Sequence, residues 1–207
     1  MSEECIVSTG SSTQKNYNRC YNDMARNYHN KQRSLHETTG ALETDIELAK
    51  YIQDKMDNFK SFETDFNGVI RKGRYGGCAE NVYQLTSGSA LTNSDNESYY
   101  PDLLYTNRAS KDWYESGEPK YTFGTGMPNS EANRAAAEKF VKMLWRGTTK
   151  VGFGVKGKWV VAWYCESGGA TGPPSNFMAN VGLHCVKNNI NKCYNKLGAD
   201  QHNALRV

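Results

Sequence analysis

The chain has 207 residues, a length that suits one well-buried domain and is short for two. Its net charge of +3 comes from 25 basic and 22 acidic residues scattered along the chain, with no basic stripe interleaved with aromatics, which argues against nucleic-acid binding. Mean hydropathy is −0.75, and no apolar run approaches the ~20 residues that cross a bilayer.

Residues 1–20 read as a polar N-terminal arm. The opening "MSEECIVSTGSS" has neither the basic nor the apolar region of a secretory signal. Ser2 excludes myristoylation, which needs glycine there. A cytosolic location is therefore the expectation. Tyr21 to about His36 suits a helix, with Met24, Tyr28 and Leu35 on its apolar side. A clearer helix follows, capped by Thr44 or Asp45, with Ile46, Ala49, Ile52 and Met56 at helical spacing. Residues 60–78 read as a loop ending in "RYGGCAEN", whose glycine pair suggests a tight backbone path delivering Glu80 and Asn81 to a defined place.

Residues 86–102, rich in Ser, Asn, Asp and Gly, read as a long surface loop. A third helix is expected over Leu103 to Tyr114. A loop, "GEPKYTFGTGMPN", leads to a fourth helix capped by Asn129 or Ser130. Its expected buried face is Ala132, Ala136, Phe140 and Met143, and Gly147 ends it. The Gly-x-Gly in this loop reads as a turn, not a phosphate cradle. Val151 to Val155 and Trp159 to Cys165 then form a hairpin around Lys156-Gly157-Lys158. Residues 183–207 read as a polar tail. Helices followed by strands, with few crossovers, predict an α+β domain over 21–182, a small antiparallel sheet packed between helices.

The six cysteines permit a disulfide framework or six reduced thiols, and there is no CxxC. The reduced state is the expectation, with Cys78 as a buried packing residue. On that reading the sequon Asn96-Glu97-Ser98 has no role.

"HNKQRSLHETTGALETDIELAKYIQ" (29–53) resembles the HNxxRxxHG…L…LAxxAQ opening of the CAP superfamily: the cysteine-rich secretory, antigen-5 and pathogenesis-related-1 proteins. "GGCAENVY" resembles its GEN motif and "KDWYES" its WYxE helix. "FGTGM" followed by "KFVKMLWRGTTKVGFGV" is similar to the signature GTGHFTQVVWxxTxKVGCGV. "KWVVAWYCESGGATGPPSN" resembles the last strand and its ending, and "NFMANV" (176–181) the intracellular, Golgi-associated branch. The resemblance spans about residues 21–181 and implies an α-β-α sandwich.

It also implies a cavity holding a tetrad of two His and two Glu, which in many members binds a divalent ion. This chain departs from that pattern. Its histidines are His29, His36, His184 and His202, so none lies in the interval where both tetrad histidines belong. Lys139 stands at one of those positions, six before Trp145, and Lys60 is nearest the other. Glu80 matches the GEN glutamate, with Ala79 in place of its preceding glycine. The second glutamate falls among Glu115, Ser116 and Glu118. An ammonium offers no lone pair and repels a cation. The expectation is a remnant cavity of Glu80, Asn81, Lys139 and Glu115, bridged by a Glu80–Lys139 ion pair, with no metal, no cofactor and no enzymatic activity.

The function then expected is that of a structural or protein-interaction subunit of a larger assembly, cytoskeletal or ciliary, meeting other proteins through its N- and C-terminal extensions. The alternative is a lipid- or sterol-binding protein, secreted or membrane-associated, with a groove at Tyr99, Tyr100 and Leu103.

Overall fold

The computed structural model describes residues 18–37, 39–58, 77–88, 91–92, 98–104, 106–165 and 174–185. Most of the N-terminal arm, Lys60, the loop after Cys165 and the tail beyond Cys185 lie outside them.

Helix α1 (Arg19–Arg33) starts where the Asn18 side chain accepts a hydrogen bond from the Tyr21 N–H, relieving one of the orphan donors at a helix start. After β1 (Glu43–Thr44), Asp45 does the same for Leu48 at the head of α2 (Ile46–Asp57). Strand β2 (Ala79–Gln84) precedes a small ribbon of β3 (Leu91–Thr92) and β4 (Ser98–Tyr99). The single helix expected over 103–114 is two: α3 (Pro101–Leu104) and α4 (Arg108–Glu115), separated at Asn107, whose φ of 54° cannot continue a helix. The Gly-x-Gly turn sits between β5 (Tyr121–Thr122) and β6 (Met127–Pro128), with φ of 81° at Gly124 and 68° at Gly126.

A single 3-10 turn then leads into α5 (Arg134–Leu144). Ala132 falls in that turn and is exposed, so the buried face of α5 is Ala137, Phe140, Val141, Met143 and Leu144 instead. Strands β7 (Lys150–Lys156) and β8 (Trp159–Cys165) form the expected hairpin, and α6 (Pro174–Asn180) follows.

The sheet runs β1-β7-β8-β2. It is mixed rather than purely antiparallel, because β1 pairs with β7 in parallel. Helix α2 covers one face: Leu48, Ile52 and Met56 pack with Val161 and Trp163. Helices α1, α4 and α5 cover the other, where Tyr21, Trp113 and Phe140 pack with Phe153, Val160 and Tyr164. The result is a helix–sheet–helix sandwich.

Strand β1 reaches only Lys150 and Val151, and among the described residues no other strand lines the rest of that edge of β7. Two side-chain amides take its place. Asn22 donates to the Phe153 carbonyl and accepts from its N–H, both at 2.9 Å. Gln53 does the same for Val155, at 3.0 and 2.9 Å. Backbone groups that would otherwise be buried unpaired are thus satisfied from both layers.

Cys78 and Cys165 are joined by a disulfide across β2 and β8, and Cys20 and Cys185 are also disulfide-bonded. No described cysteine is free, which corrects the expectation of reduced thiols and of Cys78 as a mere packing residue. The pairing needs only the β2–β8 register: Ala79 faces Tyr164, so the next pair outward is Cys78 and Cys165.

Candidate functional site

Extended strands send alternate side chains to opposite faces. On β2 this sends Asn81 towards α1 and α5, and Glu80 to the α2 side. Asn81 is buried, and its Nδ2 donates to the Lys139 carbonyl at 2.9 Å and to the Tyr164 hydroxyl at 3.3 Å. The chain of bonds continues. Nδ1 of His29 lies 2.8 Å from the Ala25 carbonyl, which can only accept, so that nitrogen carries the hydrogen. Nε2 is then the acceptor for the Tyr164 hydroxyl at 2.9 Å. One buried line therefore runs from α1 through β8 and β2 to α5.

Its electrostatics suit structure better than proton transfer. Burial pushes His29 down to about 3, so the imidazole is neutral across the physiological range. Burial likewise raises Tyr164 far above the ordinary tyrosine value. Neither group exchanges a proton readily near pH 7.

Glu80, on the α2 side, accepts from the Trp163 indole N–H at 2.8 Å. No ion pair joins Glu80 to Lys139 among the described residues, contrary to expectation; Lys142 reaches this residue instead, donating to its backbone carbonyl at 3.1 Å. Glu115 is exposed on α4, where the Tyr28 hydroxyl lies 3.4 Å from it. Burial and then the Glu115 charge raise that hydroxyl to about 12. The four residues expected to share a cavity thus divide. Asn81 meets the backbone of Lys139, Glu80 faces the other layer, and Glu115 lies on the surface. Among the described residues no group of three or more His, Cys, Asp or Glu is placed to hold a metal ion.

Of the three residues expected to line a lipid groove, Leu103 and Tyr100 have described side chains. Leu103 is fully buried in the main core, and Tyr100 packs against that core from outside. Tyr99 pairs with Leu91 through its backbone. An open concavity of about 500 Å³ does exist elsewhere, along α1, with Met24, Tyr28, Asp23, Lys31 and Asn107 among the residues that line it.

The most heavily bonded side chain went unremarked in the sequence. Arg33 is 1% exposed and donates to the carbonyls of Gly40 (2.6 Å), Met143 (2.8 Å), Trp145 (3.1 Å) and Thr148 (3.0 Å). A cation at the C-terminal end of α5 also opposes the helix dipole favourably. Burial lowers its pKa to about 10, which leaves it charged at neutral pH. The arginine of the HNxxRxxH pattern, four places after His29, was the available signal. His36 repeats the His29 arrangement, with Nδ1 on the Gly182 carbonyl and Nε2 on the Tyr114 hydroxyl, each at 2.9 Å.

This helix–sheet–helix arrangement is similar to that of solved structures. No family model and no curated protein sequence matches the chain. BmVAL-1 superposes with a TM-score of 0.53 at 16% identity, over 79% of this chain and 85% of that one. NaASP2, in a structure with Zn2+, aligns at a TM-score of 0.49 and 14% identity, over 81% of this chain and 93% of that one. The chain therefore shares the fold of BmVAL-1.

Proposed function

We propose that this chain is a non-enzymatic CAP-fold protein that acts by binding another protein, in an oxidising compartment. The observation that carries the reading is the separation of Glu80 from Lys139 by the sheet, with Asn81 committed between Lys139 and Tyr164. Catalytic zinc keeps about three protein ligands and an open position. One carboxylate bonded to an indole, with a lysine where an imidazole belongs, does not supply that set.

The Cys78–Cys165 disulfide supports the compartment, since cytosolic thiols are kept reduced. The concavity on α1 supports the mode of action. A lining that mixes Met24 and Tyr28 with the charged Asp23 and Lys31 suits a protein contact.

Elemental analysis of the dialysed chain tests the first half of the reading. Far less than one zinc per chain is expected, whereas about one zinc per chain, lost on Glu80→Ala, overturns it. For the second half, a partner recovered from extracellular fluid is purified and titrated against the isolated chain. Met24→Glu is expected to weaken that binding at least ~10-fold, since core contacts of an interface contribute most of its affinity. Equal affinity removes the α1 surface from the proposal.

A further inference from the structure

We infer that the concavity along α1 receives an acidic segment of the partner protein, with an apolar side chain set against Met24 and Tyr28 and a carboxylate paired with Lys31. This rests on the contact surface proposed above; what is new is the sign of the partner's charge. Met24, Asn27, Tyr28 and Lys31 lie three or four residues apart, so they share one face of α1. At ~1.5 Å of rise per residue, the stripe from Met24 to Lys31 is about 10 Å long. Met24 and Tyr28 are half-buried, whereas Asn27 and Lys31 are exposed. Asn107, in the left-handed turn before α4, adds to the lining.

The charges on this face do not cancel. Asp23 is the only carboxylate in α1, and its own helix already pairs it, with Arg19 at 3.6 Å one turn before and Arg26 at 3.2 Å one turn after. Lys31 has no ion pair among the described residues. Helix α4 packs beside α1 and brings Arg108, Lys111, Asp112 and Glu115. Arg108 is engaged by Asp102 at 3.4 Å, and Glu115 accepts from the Tyr28 hydroxyl. The surplus on α1 is positive: Arg19, Arg26 and Lys31 against one aspartate.

A basic partner would set a like charge against Lys31, and like charges facing each other across an interface are costly. An acidic segment is attracted there instead. Methionine is a flexible apolar side chain that adapts to varied surfaces, and tyrosine is enriched at interfaces, so Met24 and Tyr28 suit an apolar anchor next to that acid. An anionic lipid surface would also satisfy the charge. Membrane binding, however, needs apolar side chains that protrude into the lipid, whereas Met24 and Tyr28 line a concavity.

Two synthetic leucine-containing peptides, identical except that one carries glutamates where the other carries lysines, are titrated into the isotope-labelled full chain and followed by amide NMR shifts. At about 10 mM salt, where screening reaches ~30 Å, the glutamate peptide should shift the signals of Met24 to Lys31. It should bind at least ~3-fold more tightly than the lysine peptide, and Lys31→Glu should abolish or reverse that order. Lys31 is exposed, so this variant is expected to keep the wild-type urea midpoint. Equal binding of the two peptides, shifts confined to other surfaces, or an unchanged order in Lys31→Glu overturns the inference. So does binding to vesicles of phosphatidylserine and phosphatidylcholine that needs Lys31 while the glutamate peptide fails to bind. The purified partner separates the two proposals. Affinity lost in Met24→Glu but kept in Lys31→Glu overturns only the charge assignment; affinity kept in both removes the α1 surface and this inference with it.

Discussion

The face of the sheet under α2 and the face under α1, α4 and α5 share the same central strands, yet they are filled by different means. Under α2 the contact is apolar and close. A Cβ placed on Gly154 would lie 2.6 Å from the Met56 sulfur and 2.7 Å from Ile52 Cγ2, and one on Gly152 only 2.8 Å from the Ala49 nitrogen. The glycines let the helix descend onto the strands, and the Cys78–Cys165 bond fastens the same layer. Under the other helices the core admits polar groups and spends them on one another: His29, Tyr164 and Asn81 in a line, and Arg33 on four carbonyls. The contrast teaches that one layer should respond to changes of volume and the other to changes of hydrogen bonding.

The largest effect is expected at Arg33. Arg33→Ala leaves several buried carbonyls unpaired, and should cost about 4 kcal/mol or more in urea unfolding. Arg33→Lys should recover less than half, because one ammonium cannot span four acceptors. Cys78→Ser with Cys165→Ser should cost about 4 kcal/mol from a loop of this length, a sequence separation of 87, with the unfolded chain gaining the entropy. A loss under about 1 kcal/mol would mean that the α2 layer holds without its staple. Gly154→Ala tests packing on that layer, and about 1–3 kcal/mol of overpacking strain is expected because Met56 can yield only in part. Tyr164→Phe changes almost no volume but removes a donor for His29 and an acceptor for Asn81, and about 1–3 kcal/mol is expected. If Gly154→Ala were neutral and Tyr164→Phe costly, volume sensitivity would not belong to the α2 layer.

A pH series sharpens the comparison on the polar side. His29 has a folded pKa near 3, below its ordinary 6.5. Between those values the unfolded chain binds a proton that the folded chain does not, so this contribution to stability is complete above pH 6.5 and shrinks on acidification towards pH 3. The expected slope is at most about 1.4 kcal/mol per pH unit. Urea midpoints measured from pH 7 to pH 4 should fall accordingly, and His29→Asn should flatten the curve. An unchanged curve in that variant assigns the acid sensitivity to other groups.

How far these two layers could be foreseen differs as well. The α2 helix was legible because its cap at Asp45 and its apolar spacing are local, and so was the β7–β8 hairpin. Strand β2 was not, since Glu80 and Asn81 at its head look like the end of a polar loop. Only pairing with β8, some eighty residues on, makes that stretch a strand. The Cys78–Cys165 bond was hidden for the same reason. The resemblance located Lys139, Glu80 and Glu115 along the chain, but it could not say which side of the sheet each would face. That is fixed by register, and a shift of one residue would have exchanged Glu80 with Asn81. Arg33 escaped notice because its acceptors are backbone carbonyls, which have no signature in sequence.

The amides of Asn22 and Gln53 along β7 have a counterpart at the opposite margin of the sheet. There Lys142 donates to the Glu80 carbonyl and the Trp113 indole N–H lies 3.4 Å from the Val82 carbonyl. Bare strand margins invite a neighbouring chain to add a strand, the usual route to aggregates and to peptide capture by β-addition. Here side chains from three different helices and from α5 already occupy acceptors on both margins. Among the described residues, the acceptors that an added strand would use at these positions are therefore already taken by the chain's own side chains.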